Sequence, residues 1–320
     1  MTKILITPKS FANYKEAVYP LILEQGYEII ENTTGRTLTE AEIVELAGEG
    51  VAGIIIGVDP LPGSVLEQCR DVRAISKYGM GMDNIDLDKA KELGIGVRNA
   101  AGSNHISVAE HAIGLLFAIA RHIPHNVASV KQGHWERAMG IELTGKIIGL
   151  VGGGQIGREV AIRAKGLGMQ PVIYDPFLRD ESFLEAHGIR REHDLDRLLE
   201  QADVISLHVP YTPETKHLIG ERTLGLMKPS AILINTSRGE LVDEDALYRA
   251  LTGGALAGAA QDVFSVEPPD GGHPLLQLDR FLLTSHTGAF TREAVARMAT
   301  LSTHNLLDLL NELPARTRTS

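Results

Sequence analysis

Cysteine is almost missing from this chain of 320 residues, with Cys69 the only one. No intrachain disulfide and no thiolate metal cluster can form, so an intracellular, cytoplasmic setting is the expectation. A dense Lys/Arg block is also missing. Acids outnumber bases 41 to 31, for a formal charge of −10. That balance argues against a nucleic-acid or anionic-membrane partner. Long hydrophobic runs are lacking too. The longest around a helix, AIGLLFAIA at 112–120, is about half of what a bilayer span needs. The first residues, MTKILITPKSF, pass from a lysine into a short strand, with neither the apolar core nor the cleavage site of a secretion signal. There is no short internal repeat and no low-complexity tract.

What remains is a chain with 43% hydrophobic residues and 33 glycines, long enough for a large core and one to two domains. Short apolar runs alternate with helix-like stretches. ILIT (4–7), EII (28–30), AGIIIG (52–57), RAISKYG (73–79) and IGVRN (95–99) read as buried parallel strands. YKEAVYPLILEQG, TEAEIVELAGEG and LDKAKELG fill the gaps as helices, each closing on a glycine. A second strand series begins near residue 147: KIIGLVG, QPVIYD, DVISLHVP, AILINTS, AGAAQDVF and FLLTSH. Between the series, Ser107 and Glu110 have the spacing of a capping box that opens a long helix, apolar nearly all round and so expected at a domain or subunit junction. The alternation predicts an α/β chain with doubly wound parallel sheets covered on both faces. Two domains are expected. The first comprises residues 1–100 plus 289–320, with REAVARMATLSTHNLLDLLNEL returning to it; the second is 101–288.

GLVGGGQIGREVA contains Gly152, Gly154 and Gly157 in a G-x-G-x-x-G pattern, between an apolar strand and a helix. Alone the pattern is weak, because glycine is plentiful and any turn uses it. In this context glycines let the backbone approach a pyrophosphate, while the helix start supplies free N–H groups. A further strand, PVIY, ends in Asp175, where an acid can accept hydrogen bonds from ribose hydroxyls. Pro176 and Phe177 follow, with no immediate arginine for a 2′-phosphate. NAD is the expected cofactor, in preference to NADP.

Hydride transfer to a carbonyl acid also needs a cation for the carboxylate, a proton donor, and a partner that keeps the donor protonated. Each has one candidate past a strand of the second series. Arg238 follows AILIN, and its planar fork suits a carboxylate. Glu267 stands before Pro-Pro, and His286 lies in LTSHTG. A carboxylate beside the imidazole would stabilise its protonated form. Taken singly, each has an ordinary reading: a turn-capping arginine, a solvated loop acid, a structural histidine. His122 and His125 lack a third ligand, and no metal site is expected.

Over nearly its whole length the chain resembles the D-isomer-specific 2-hydroxyacid dehydrogenases. The matching stretches are YGMGMDNIDLDKA, SVAEHAIGLLFAIAR, ELTGKIIGLVGGGQIGREVA, YDP, SLHVPYTPETKHLI, NTSRGELVDEDAL, DVFSVEPP and SHTGA, in order. The resemblance implies two Rossmann-like domains, the first flavodoxin-like and substrate-binding, the second NAD-binding, with the active site in the cleft between them. It implies Arg238, Glu267 and His286 as the catalytic set, and Lys77, Tyr78, Gly79 and Met80 as the loop that binds the substrate carboxylate through backbone N–H groups. It assigns Asp262 to the nicotinamide carboxamide. Ser107, Gln155, Ile156, His208, Val209, Pro210, Thr215, Thr236, Ser237 and Gly288 match cofactor-lining positions, beside the three loop glycines and Asp175. It also implies a homodimer, or dimer of dimers, built on the helix after residue 105.

ARHIPHNVASVKQGHWER, followed by the glycine-loop stretch, is most similar to the family's D-3-phosphoglycerate dehydrogenase branch. A phosphorylated substrate needs extra cations, for which Lys77 and Arg137 are candidates; both can equally be solvated surface charges. Met80 and Met82 bring bulky side chains to a loop usually built from smaller ones, and no regulatory domain is expected after residue 320. Hydroxypyruvate, glyoxylate or another short 2-oxoacid stays open as substrate. A binding protein that responds to NAD is the reading from another class.

Overall fold

Strand and helix alternate from the first residues, as a buried parallel sheet requires. The computed structural model describes residues 2–313, and within them two units: 2–104 with 290–313, and His105–Ala289. Residues 314–320, included in the expected first domain, lie outside the described residues.

The first unit holds β1 (Lys3–Ile6), β2 (Glu28–Glu31), β3 (Val51–Ile56), β4 (Ala74–Lys77) and β5 (Gly96–Asn99). All pairings are parallel, in the order β2-β1-β3-β4-β5, the flavodoxin-like arrangement. Every residue of β3 is buried, as a central strand covered on both faces demands. The helix Arg292–Glu312, N-capped by the Thr291 hydroxyl, covers one face. Glycine in two strands makes room for it: a methyl at Gly53 would meet Leu306 at 3.0 Å, and one at Gly96 would meet Leu309 at 2.9 Å.

The second unit holds β6 (Ile147–Val151), β7 (Gln170–Tyr174), β8 (Arg190–Glu192), β9 (Val204–Leu207), β10 (Ile232–Asn235), β11 (Gly258–Gln261) and β12 (Phe281–Leu283). The order is β12-β11-β10-β9-β6-β7-β8, all parallel. This is the Rossmann order with one added strand, and the direction of winding reverses between β6 and β9, where such sheets bind ligands. The edge strand β8 escapes sequence reading because its residues, Arg-Arg-Glu, carry no apolar pattern.

The helix His105–Ala120 lies against the sheet and buries Val108, Ala112, Leu115, Leu116 and Ile119. Its start departs from the capping-box expectation. The helix begins three residues earlier, at His105, so Ser107 is buried within the first turn and Glu110 reaches Arg163 at 3.3 Å instead. At its end His122 adopts a left-handed φ of 50°, and the chain bends by 61° into the helix Ile123–Lys131. Among the described residues no single helix is long and apolar enough to cross a membrane.

Candidate active site

The carboxyl ends of β6, β7, β9, β10, β11 and β12 carry the residues that chemistry needs. After β6 the chain turns through Gly152 at φ 111°, open to glycine and strained for other residues. A methyl there would lie 2.5 Å from the carbonyl oxygen of His208, and one at Gly157 would overlap the carbonyl of Gly152. These two glycines let the helix Gln155–Gly166 close onto the strand. A methyl at Gly154 would meet nothing within 4 Å. Gly154 is the N-cap and offers no side-chain cap, so the first-turn N–H groups of Gln155 and Ile156 face outward with the positive end of the helix dipole.

Asp175, at the end of β7, accepts from the Gly153 N–H at 2.9 Å through Oδ2 and from the Phe177 N–H at 2.8 Å through Oδ1. The carboxylate is therefore pinned beside the glycine loop, with lone pairs left for a diol. Arg179 follows a few residues on in sequence and is exposed, and a second arginine lies close in space. Arg191 donates to the Asp175 carbonyl at 3.1 Å and pairs with Glu181. Its two terminal nitrogens are committed to protein groups, while its buried Nε has no partner. His208 Nδ1 and Thr236 Oγ1, at this end of the sheet, are likewise buried without a partner. Burial holds His208 far below the ordinary histidine range, at about 3, so its ring is neutral, with Nε2 2.9 Å from Ser206 Oγ. Val209 packs toward Gly152. Thr215 closes its own turn by donating to the Pro210 carbonyl at 2.9 Å, and Ser237 donates to the Leu207 carbonyl at 2.8 Å. A glycine cradle, an uncapped helix start, a fixed acid and two orphaned polar atoms fit a dinucleotide.

Arg238 follows β10 and donates to the Ser237 carbonyl at 2.7 Å, while its own carbonyl accepts from Asn235 Nδ2 at 2.8 Å. The next residue, Gly239, has no room for a side chain, because a methyl would overlap the Phe264 backbone. That contact sets the Arg238 turn against the loop after β11, which carries Glu267. Glu267 Oε1 accepts from the Phe264 N–H at 3.0 Å. Its Oε2 lies 2.8 Å from Nδ1 of His286, just past β12. Burial alone would raise the Glu267 carboxyl, but the His286 hydrogen bond and charge, the Phe264 N–H and the Arg238 charge outweigh it and hold the group below its ordinary value. Glu267 is thus ionised. His286 Nδ1 is taken up by it, and Nε2 is the nitrogen left for a substrate proton. The side chain is 43% exposed, so that nitrogen is reachable.

Asp262 does more than its sequence position suggests. Only 2% exposed, it accepts from Thr284 Oγ1 at 2.5 Å and the Thr287 N–H at 2.9 Å through Oδ1, and from the Gly288 N–H at 2.7 Å through Oδ2. Its backbone carbonyl accepts from the His286 N–H at 2.8 Å. The carboxylate is the anchor of the loop that presents His286. Burial would raise it, but these donors and His111 win and lower it to about 2. A carboxyl lowered by folding contributes stability above its ordinary pKa and loses it as pH falls through the folded value. The window here is about pH 4 to 2, and the size about 2 kcal/mol. Asp262→Asn should therefore cost roughly that much at pH 6 and much less at pH 2, as measured by urea unfolding at both pH values. An equal cost at the two would contradict the charge argument.

In the other unit, the Lys77–Met80 segment follows β4. Lys77 is not a solvated charge: it is 6% exposed and its ammonium donates to the Gly57 carbonyl and, at 2.6 Å, to Asn84 Oδ1. Burial pushes the Tyr78 phenol up to about 12, and its oxygen accepts from Ser10 Oγ at 3.1 Å. Gly79 turns at φ 132°, and Met80 is exposed. Arg137 is exposed in an irregular stretch beside the exposed Trp135 and Met139. Among the described residues no group of three or more metal-ligating side chains is present. Sequence reading missed His111 and Thr284, which join the Asp262 cluster; the EH dipeptide within a buried helix was the one available signal.

Residues 113–288 match the model of the family described as D-isomer specific 2-hydroxyacid dehydrogenase, NAD binding domain. The chain is similar to a D-3-phosphoglycerate dehydrogenase of Methanocaldococcus jannaschii, 41% identical over 97% of this chain and 58% of that one. It thus spans little more than half the length of such relatives. A hydroxypyruvate reductase of Thermotoga maritima is 40% identical over 89% of this chain and 91% of its own. Among solved structures, the apo form of D-lactate dehydrogenase from Escherichia coli superposes with a TM-score of 0.85 at 30% identity, covering 98% of each chain.

Proposed function

The chain belongs to the D-isomer specific 2-hydroxyacid dehydrogenases, and from that membership we propose that it interconverts a short D-2-hydroxyacid and its 2-oxoacid with NAD. The observation that carries the reading is the 2.8 Å contact between His286 Nδ1 and Glu267 Oε2, with the Arg238 charge acting on the same carboxylate. When bound, the nicotinamide supplies or accepts the hydride at the substrate's second carbon. Arg238 holds the substrate carboxylate and polarises the carbonyl. His286 gives its Nε2 proton to the forming hydroxyl oxygen in reduction and takes it back in oxidation. Glu267, ionised, fixes the ring and stabilises the imidazolium. The family resemblance assigns the backbone N–H groups of the 77–80 loop to the substrate carboxylate as well. Asp175, pinned beside the glycine loop, would accept from the adenosine ribose hydroxyls, which favours NAD.

For the substrate, we place D-3-phosphoglycerate and its oxoacid first, on the names of the relatives. Arg137 is then the cation for the phosphate. One observation favours an unphosphorylated acid such as hydroxypyruvate or glyoxylate instead: the Lys77 ammonium is buried and engaged by Gly57 and Asn84. The test is NADH oxidation, followed by absorbance, with phosphohydroxypyruvate, hydroxypyruvate, glyoxylate and 2-oxoglutarate, repeated with NADPH. A kcat/KM at least tenfold higher for phosphohydroxypyruvate supports the first substrate. NADH binding without turnover on any oxoacid would replace the enzyme reading with a cofactor-responsive binding role.

The homodimer expected on the helix after residue 105 gains support from the exposed apolar face of the next helix, Ile123–Lys131. Ile123, Val127 and Val130 stand at helical spacing and are all about half exposed, beside Trp135 at 85% and Met139 at 93%. Apolar surface of this extent is rarely left to water. Val127→Asp together with Trp135→Asp should yield monomers in sedimentation equilibrium. A wild type that is already monomeric would end this assignment.

A further inference from the structure

One histidine outside the proposed reaction stands at the centre of the hydrogen bonds that shape the site. His111 projects from the helix His105–Ala120, and its Nε2 lies 2.9 Å from Thr284 Oγ1 and 3.2 Å from Asp262 Oδ1. Thr284 Oγ1 in turn donates to the same Asp262 oxygen at 2.5 Å. The hydroxyl proton is thus spent on the carboxylate, so Nε2 must be the donor of its own contacts. That holds for the imidazolium and for the neutral ring protonated at Nε2.

The carboxylate that receives these bonds passes the constraint on. It fixes the N–H groups of Thr287 and Gly288, on the C-terminal side of His286. The residue's own carbonyl fixes the His286 N–H. His286 itself sits at φ 53°, a left-handed conformation that a side-chain-bearing residue keeps only where the surroundings dictate it. The packing points the same way. A methyl at Gly288 would stand 2.9 Å from Asp262 Oδ2, 3.6 Å from the His111 ring and 3.8 Å from Val108. Loop and helix meet with no slack.

We infer that His111 is a positioning residue for the reaction: by donating to Asp262 and Thr284 it holds the 284–288 loop in the left-handed turn that aims His286 and keeps its Nδ1 on Glu267. It touches neither substrate nor cofactor in this role. The inference rests on the oxidoreductase reading given above, and it makes a claim about kcat in particular. A loop that misaims the proton donor slows the chemical step, while Arg238 and the glycine loop go on binding substrate and cofactor.

The experiment compares His111→Leu with His111→Gln. Glutamine carries an N–H donor at about the reach of Nε2; leucine carries none. His111→Leu should lose at least tenfold in kcat, with KM for NADH and for the oxoacid within about twofold. His111→Gln should recover most of that loss. Thr284→Val, which removes the bridging hydroxyl without altering the helix, should show the same split as His111→Leu, and it keeps the test alive if His111→Leu does not fold. The second readout needs no turnover. In the proton NMR spectrum of the wild type, the His286 Nδ1–H held by Glu267 should give a low-field signal, assigned by its loss in His286→Asn. The signal should persist in His111→Gln and be lost in His111→Leu. A His111→Leu variant with wild-type kcat and an intact signal overturns the inference. So does a kcat loss that His111→Gln fails to recover, or a rise confined to the KM for NADH. A wild type that reduces no oxoacid would end the proposed reaction, and the NMR comparison would still decide the role of His111.

Discussion

Replacing His286 with asparagine should lower kcat by about 10²- to 10⁴-fold, the usual worth of a positioned general acid–base group, and leave the NADH dissociation constant within about twofold. Asparagine is the informative choice because His286 occupies φ 53°, and asparagine is among the few residues that adopt that region readily. The backbone turn is therefore kept while the titrating nitrogen is lost. Stopped-flow reduction of the oxoacid reads the chemical step, and quenching of protein fluorescence by NADH reads binding. The side chain is 43% exposed and is held by the Nδ1 contact to Glu267 and the backbone bonds of its N–H, so unfolding by urea should shift little. A kcat within fivefold of wild type would remove His286 from the proton transfer. Arg238→Ala is the companion change. It should lower kcat/KM for the oxoacid more steeply than it raises the NADH dissociation constant, since its planar fork is assigned to the substrate. A loss of NADH binding as large as the loss of turnover would move Arg238 to the cofactor side.

Gly239→Ala should be more damaging than any other single-methyl change near the site. The added methyl would overlap the carbonyl carbon and oxygen of Phe264 and the nitrogen of Ser265. These are backbone atoms, which cannot rotate away as the end of a side chain can. Either the Arg238 turn or the loop carrying Glu267 must move. Overpacking of this kind costs about 1–3 kcal/mol, occasionally more. The change also separates Arg238 from Glu267, so turnover should fall at least a hundredfold even in molecules that remain folded. Urea unfolding and kcat measured on the same preparation check both halves. Near-normal stability and turnover would mean that the 238–241 turn and the 264–267 loop are not locked together. Gly154→Ala serves as the contrast. A methyl there meets nothing within 4 Å of protein, so stability should hold while NADH affinity falls, because the methyl enters the space assigned to the pyrophosphate.

Much of this protein was legible before any coordinates. The apolar runs and their helical spacers specify parallel α/β sheets, because only a strand buried on both faces can be apolar along its length. The strand β8 was not legible, since its Arg-Arg-Glu sequence pairs only at the sheet edge through backbone groups. The capping box at Ser107 and Glu110 was misread for a similar reason: the four-residue pattern is local, but the helix start was set by packing of the whole 105–120 segment.

The site divides along the same line. Sequence determined which residue types stand at the strand ends: the three loop glycines, Asp175, Arg238, Glu267 and His286. What only the tertiary structure decided is which of them meet and which are already engaged. His286 and Glu267 are 19 residues apart, and His111 and Thr284 are 173 apart. Those pairs come together because β10, β11 and β12 are neighbours in one sheet and the 105–120 helix packs on it. Burial settled the rest. Lys77, a candidate phosphate cation in the sequence, is tied to Gly57 and Asn84, and Asp262, which the family resemblance assigns to the nicotinamide carboxamide, also holds the His286 loop. A charge taken out of water must be paired or hydrogen-bonded where it lies, and the partner it finds there is fixed by strand order and helix packing, which the spacing of residues along the chain does not encode.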